Sequence, residues 1–293
     1  MTTPREIDRW PEPESKRGIK LMVVSASRTG TMGIYQALKI LGYRPYHMAE
    51  VVYDRSGSHM KVVEEAILAH HNDRFSGIKP YGRKEFDKWL ADYDALLELQ
   101  AYLGPDMINA YLSDPDVKFI LTERDPDKWV RSFNQWVAVD ALGKLSAPLV
   151  AAAARFDTWL TMFKRLNIVM YNTYSNSIPY KAPGNEEALR KNYVEYIAMV
   201  KRIIPPERLC VIRLEDGLGW EQICPYLEKD IPKDTPYPRG TDHIAQLGAL
   251  IGPIINGAIM KMAAVVVPAV GVAGWLLVKK GPVVVDMVRG LWG

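Results

Sequence analysis

Two cysteines in 293 residues, Cys210 and Cys224, are too few for a disulfide framework, and with no third or fourth ligand spaced beside them they make no zinc site. A reducing compartment is the expectation that follows. Charge of one sign is equally scarce. The 37 basic and 34 acidic residues leave a net charge of +3, too balanced to indicate a nucleic-acid partner, and there is no acidic tail. The opening stretch MTTPREIDRWPEPESKRGIK lacks an apolar core, so no secretory signal is expected and residues 1–18 read as a solvated arm. Also missing is the lysine of the nucleotide-hydrolase loop G-x-x-x-x-G-K-[ST]. None follows Gly30 and no glycine stands five residues before it, so ATP or GTP hydrolysis is not the expected chemistry.

What is present is an ordinary packed-core composition, 48% hydrophobic, and a stretch around which the chain can be organised, Leu21 to Tyr43. Leu21 to Val24 form the short apolar run of a buried parallel strand. The polar loop Ser25-Ala26-Ser27-Arg28-Thr29-Gly30-Thr31 follows at once. Ile34, Ala37, Leu38 and Leu41 then recur at helical spacing, and Gly42 stands where a left-handed residue would end the helix. A loop of this kind turns backbone N–H groups toward the positive end of a helix, which suits a phosphate or sulfate group.

Two further apolar runs predict strands. Val117 to Thr122 leads into Glu123-Arg124-Asp125-Pro126, where Asp125 can cap a helix and Pro126 fits its first position. Trp129, Phe133 and Trp136 give that helix one aromatic face, expected to be core. Leu209 to Leu214 is the third run, followed by Trp220, Ile223 and Leu227 at helical spacing. Weaker patterns place a short strand at Arg44 to Met48, a turn at Ala49 to Tyr53, and a strand end near Tyr93 to Leu99. Val137 to Asn176 reads as long and helical, and Glu186 to Ile204 as a strong helix.

The SRTGT core, the following ALKILGY and the Tyr46-His47-Met48 after it resemble the fungal-type branch of the P-loop sulfotransferases, whose loop reads roughly G-x-P-R-T-G-T-[ST]-S. The second loop resembles that family's R-[DN]-P-x-x-x-x-x-S segment, with Arg124 and Ser132 at the same separation, and the chain departs from the first pattern at Ser25, Ala26, Ser27, Met32 and Gly33. The resemblance covers roughly residues 18 to 242. It implies an α/β fold, a three-layer P-loop-type domain with a central parallel sheet and a helical cap over about 137–180; the apolar tail beyond the stretch it covers adds C-terminal hydrophobic helices. The resemblance also implies 3′-phosphoadenosine 5′-phosphosulfate (PAPS) as cosubstrate, with Arg28, Thr29, Gly30 and Thr31 at its 5′-phosphosulfate and Arg124 and Ser132 at its 3′-phosphate. No metal is expected.

For the remaining catalytic role the sequence offers Glu98 and His47. Glu98 is the nearest counterpart of an acidic residue that the family directs at the acceptor, there in a D-x-P context. As a general base it would be a partly desolvated carboxylate of raised pKa; the other reading is a helix-surface glutamate. His47 is either a hydrogen-bonded structural residue or a base in reserve.

Ile244 to Val278 carries one charged residue, Lys261. Met262 to Val278 alone would rise about 26 Å as a helix, slightly short of a hydrocarbon core of ~30 Å. Trp275, Lys279 and Lys280 suit an interfacial flank. Residues 19–242 are therefore expected to form the domain and 243–293 a membrane anchor or hairpin, with membrane contact through residues 244–280. Two amphipathic helices folded on the domain are the alternative. The expected activity is transfer of a sulfuryl group from PAPS to a hydroxyl of an apolar acceptor of terpenoid or polyketide type. It would take place on the cytosolic side of a membrane, or in the cytoplasm if the tail is not an anchor. The alternative activity is a cyclase, dehydratase or pericyclic catalyst on the same fold without PAPS, and a membrane-tethered scaffold is a third reading.

Overall fold

The apolar run at Leu21 becomes the central strand of the protein, β1 (Leu21–Val23), in which every residue is buried. Its alternation sorts the core. Leu21 and Val23 join one hydrophobic cluster and Met22 and Val24 the other, as period-two geometry requires of a strand covered on both faces. The computed structural model describes residues 4–71, 77–239 and 242–290.

Four more strands complete a parallel sheet, β2 (Pro45–Tyr46), β3 (Ala95–Leu97), β4 (Lys118–Glu123) and β5 (Leu209–Arg213), in the order β2-β3-β1-β4-β5. Met22 of β1 lies opposite Leu96 of β3 and Phe119 of β4. One face is covered by α1 (Thr31–Ile40) and by the helix Trp220–Leu227, through Ile34, Leu38, Trp220 and Ile223. The other face carries the helices Ser58–His71, Pro126–Phe133, Thr158–Ser175 and Asn185–Ile203. These are the three layers that the sequence predicts.

Several local expectations need correction. The N-terminal arm is not simply solvated: Ile7 is buried in the main core, and the Arg5 guanidinium reaches Glu85 at 2.7 Å. A single apolar residue among charged ones gives no periodic signal, so its burial is invisible in the sequence. The turn expected at Ala49 to Tyr53 is instead a helix, Met48–Tyr53, because the His47 side chain accepts the N–H of Ala49 and caps it. The long helical pattern from Val137 is broken into a π-helix (Asn134–Gly143), short helices at Lys144–Ser146 and Pro148–Ala153, and Thr158–Ser175. Pro148 starts a new helix where its ring would interrupt an old one, and Asp157 caps the last by accepting from the N–H of Leu160.

At the C-terminus one continuous helix, Asp242–Gly290, stands in place of a hairpin or of two separate helices. Pro253 and Pro268 lie within it without ending it. Its first part packs on the cap. Ala258 is fully buried, Ile251, Ile254, Ile255, Ile259 and Met262 pack against the core, and Lys261 Nζ meets Asp157 Oδ2 at 2.6 Å. From Ala263 to Leu276 every residue is exposed. Ile251–Leu276 is long and apolar enough to cross a membrane.

Candidate active site

Strand order reverses at β1: the chain leaves it for β2 and β3 on one side and crosses to β4 on the other. In an open parallel sheet the crevice at such a reversal, beyond the carboxyl ends of the strands, is where ligands bind. Both loops singled out in the sequence lie there, since one follows β1 and the other follows its neighbour β4.

The first loop takes its shape from two left-handed residues, Arg28 at φ 72° and Gly30 at φ 88°. Gly30 adopts this conformation without strain, and a Cβ there would also press on Leu218 Cδ2 at 2.8 Å. At Arg28 the same conformation costs an L-residue about 1–2 kcal/mol. From Ser27 to Gly33 no backbone N–H has a hydrogen-bond acceptor among the described residues, so a run of donors leading into the start of α1 is left unpaired there.

Residues at which the loop departs from the family pattern have structural work. Ser25 Oγ accepts the N–H of Thr122 at 2.7 Å and so extends the seam between β1 and β4. Gly33 leaves room for the carbonyl of Pro238, which would lie 2.7 Å from a Cβ. Thr29, expected to bind the cosubstrate, turns its hydroxyl inward to the carbonyl of Ala26 (2.7 Å) and to Thr122 Oγ1 (2.9 Å), leaving only its N–H for a ligand.

Glu98 follows β3 and is buried, with φ 58°. It is therefore no helix-surface glutamate. Its Oε2 accepts from Ser27 Oγ at 2.9 Å and Thr31 Oγ1 at 2.8 Å, and Oε1 lies 3.0 Å from His47 Nε2. Tyr102 donates in turn to Ser27 Oγ at 2.8 Å. Burial pushes the Glu98 pKa up, but His47, Thr31 and Ser27 together outweigh it and hold the carboxyl below its ordinary value. The raised pKa expected from the sequence is thus reversed, because three donors surround a group that burial alone would have neutralised. His47 uses both ring nitrogens. Nδ1 accepts the N–H of Ala49 at 3.0 Å, which leaves Nε2 as the protonated nitrogen facing Glu98.

Arg28, Arg124 and Ser132 converge. Arg28 Nε donates to Ser132 Oγ at 3.3 Å, and Arg124 Nη1 donates to the carbonyl of Arg28 at 3.1 Å. Burial lowers the pKa of the Arg28 guanidinium, with Glu98 opposing and Arg124 adding to the shift. Arg124 is fixed by its backbone, whose N–H donates to Tyr193 Oη (2.9 Å) and whose carbonyl accepts from it (3.1 Å). Asp125 caps the next helix by accepting from the N–H of Lys128 at 2.9 Å, as its place before Pro126 predicts.

Beside Arg28 opens a cavity of about 390 Å³, bounded by Ser27, Arg28, Thr31, His47 and Glu98 at its charged end and otherwise mostly by apolar side chains of the cap. The aromatic face that the sequence reads as core divides. Trp129 stacks on Phe133 and Tyr193, while Trp136 lies over the Arg28 guanidinium at 4.8 Å and lines the cavity. The π-helix causes this, since its wider turn breaks the 3.6-residue spacing on which the core assignment rests. Sequence reasoning also missed Tyr102, Asp140 and Lys144, which line the same space. Only the chain fold brings these together, although a polar pair within a helix otherwise rich in apolar residues could have marked the last two. Among the described residues no three His, Cys, Asp or Glu side chains are grouped to hold a metal ion.

The chain is similar in sequence to known proteins. The family described as Sulfotransferase domain matches residues 20–245. Ava biosynthesis cluster protein M of Aspergillus versicolor is 29% identical over 231 residues, 75% of this chain and 80% of that protein. Among solved structures, a sulfotransferase from Alicyclobacillus acidocaldarius aligns with 85% of this chain and 95% of its own, at 13% identity and a TM-score of 0.36.

Proposed function

Because the chain belongs to the sulfotransferase domain family, we propose that it transfers a sulfuryl group from PAPS to the hydroxyl of an apolar small molecule. The observation that carries this reading is the meeting of Arg28 and Arg124 at one crevice, beside a loop whose N–H groups are unpaired among the described residues. These residues fit the cosubstrate: a run of N–H donors and a guanidinium suit one anionic end, and a second guanidinium with a hydroxyl suits the other.

PAPS supplies the sulfuryl group. The N–H groups from Arg28 to Thr31 and the Arg28 guanidinium bind the 5′-phosphosulfate and stabilise charge on the oxygen whose bond to sulfur breaks. Arg124 and Ser132 hold the 3′-phosphate. Glu98 takes the proton of the acceptor hydroxyl as its oxygen bonds to sulfur; an ionised carboxylate has about four acceptor sites, and three are filled by Ser27, Thr31 and His47. The apolar walls exclude water and orient the acceptor's body. The exposed apolar run from Ala263 to Leu276 supports attachment to a membrane; the domain is then proposed to lie on its cytosolic side. A relative named for a biosynthesis cluster supports a biosynthetic acceptor.

One observation favours a second reading. Ser27 and Thr31 already give their hydroxyls to Glu98, so a carboxylate of the protein itself sits against the start of α1 where an anion would be welcome. A fold kept for cyclisation, dehydration or a pericyclic step without PAPS would use the same cavity. The deciding experiment is calorimetric binding of 3′-phosphoadenosine 5′-phosphate, followed by transfer of label from ³⁵S-PAPS to a phenol. Absence of binding to the wild-type chain ends the donor reading, and turnover indifferent to added PAPS favours the second.

A further inference from the structure

The C-terminal helix enters the cavity before it leaves the protein surface. Gly248, Ile251, Gly252 and Ile255, spaced as one helical face, line the same space as Ser27, Arg28 and Glu98. The domain match ends at residue 245, so this wall lies outside the part of the chain that the family defines. Resting on the transferase reading above, we propose that this face is the selective wall of the acceptor site, supplied by the chain's own C-terminal helix and shaped for a bulky fused-ring hydroxy compound.

The two glycines carry the size argument. A Cβ at Gly248 or at Gly252 would meet no atom of the described residues within 4 Å, so each leaves open space on its side of the helix, while Ile251 and Ile255 offer branched apolar surface between and beyond them. Phe163, Leu166 and Met170 of the helix Thr158–Ser175 line the same cavity. A cavity of about 390 Å³ lined by glycines and by branched or aromatic side chains takes a bulky, rigid apolar body better than a flexible one, since little conformational entropy is lost on binding. The helix is held in register just past the cavity by fully buried Ala258 and by the contact of Lys261 with Asp157 at 2.6 Å. The polar end of the cavity, with Glu98 and Arg28, then meets the hydroxyl.

The test uses the full chain in lipid nanodiscs and 1-naphthol as probe, read by calorimetry with empty discs subtracted. Gly252→Leu is expected to weaken naphthol about tenfold or more by taking up space in the cavity. Gly257→Leu makes the same change at a glycine of the same helix that does not line the cavity and where a Cβ would likewise meet no atom of the described residues within 4 Å, so it is expected to leave naphthol binding as in the wild type. Both variants should bind 3′-phosphoadenosine 5′-phosphate as the wild type does. Should Gly252→Leu lose that binding through misfolding, Ile255→Ala decides in its place, with naphthol weakened by roughly threefold. Equal naphthol affinity in wild type and in the deciding variant, or none in the wild type, overturns the proposal. Failure of the nucleotide to bind any of the chains strikes the donor reading alone and leaves the naphthol comparison to decide the wall.

Discussion

Glu98 and His47 meet at 3.0 Å through Oε1 and Nε2, and the second ring nitrogen of His47 accepts the N–H of Ala49. The imidazole is thereby fixed as a donor toward the carboxylate. Of the two groups, the carboxylate is the one able to take a proton from a substrate.

Glu98→Gln keeps the shape of the side chain and removes the base, so kcat should fall by about 10²–10⁴ while nucleotide binding is unchanged. His47→Asn should cost less, because it disturbs the setting of Glu98 and the cap on Ala49 but leaves the base in place. Steady-state kinetics with calorimetry on both variants checks the order; a larger loss for His47→Asn reverses the assignment.

The same environment predicts a pH effect on stability. Glu98 has a folded pKa below its ordinary value of 4.5, so the folded chain binds fewer protons there than the unfolded one. Its contribution is fully present above the unfolded value and is lost as pH falls through the lower, folded one. Thermal unfolding from pH ~5 to ~3 should therefore lower the midpoint of the wild type more steeply than that of Glu98→Gln. Parallel slopes would show that no depression exists.

Arg124→Ala should weaken 3′-phosphoadenosine 5′-phosphate by roughly 10- to 150-fold, the range of a charge-assisted hydrogen bond worth about 1.5–3 kcal/mol. Ser132→Ala should cost about tenfold or less, as a neutral hydroxyl does. Calorimetry measures both, and an unchanged affinity in Arg124→Ala removes that residue from the nucleotide site.

A chain ending at Met262 keeps the packed part of the C-terminal helix and loses the exposed apolar run. The full chain should sediment with membranes after a carbonate wash, and the shortened one should remain in the supernatant. Recovery of the full chain in the supernatant would refute membrane attachment.

The strands that position the site were legible because each is an uninterrupted apolar run followed by a polar loop, as at Leu21, Val117 and Leu209. The meeting of Arg28, Arg124 and Ser132 followed from the resemblance alone; the structure supplies its reason, since the parallel neighbours β1 and β4 deliver their loops to one edge. Glu98 was not legible, since its pKa is decided by Ser27, Thr31 and His47, which come from two other segments of the chain. Trp136 was misplaced because a sequence does not announce a π-helix. The cavity wall escaped notice because Gly248 and Gly252 read as weak points in an apolar helix, and only the folded cap makes them part of a cavity.

The carbonyl of Pro238 occupies the room that Gly33 leaves on α1, and the Trp220 indole steadies the approach by donating to the carbonyl of Thr235 at 2.8 Å. The helix that carries the anion loop is thus clasped by chain made roughly two hundred residues later, a closure of long sequence separation that comes slowly in folding. On the ribosome, β1 and its loop emerge early and must wait. The pocket takes its final setting only after the Pro-rich stretch is released, so a nascent chain stalled before it would display the loop without yet owning a finished site.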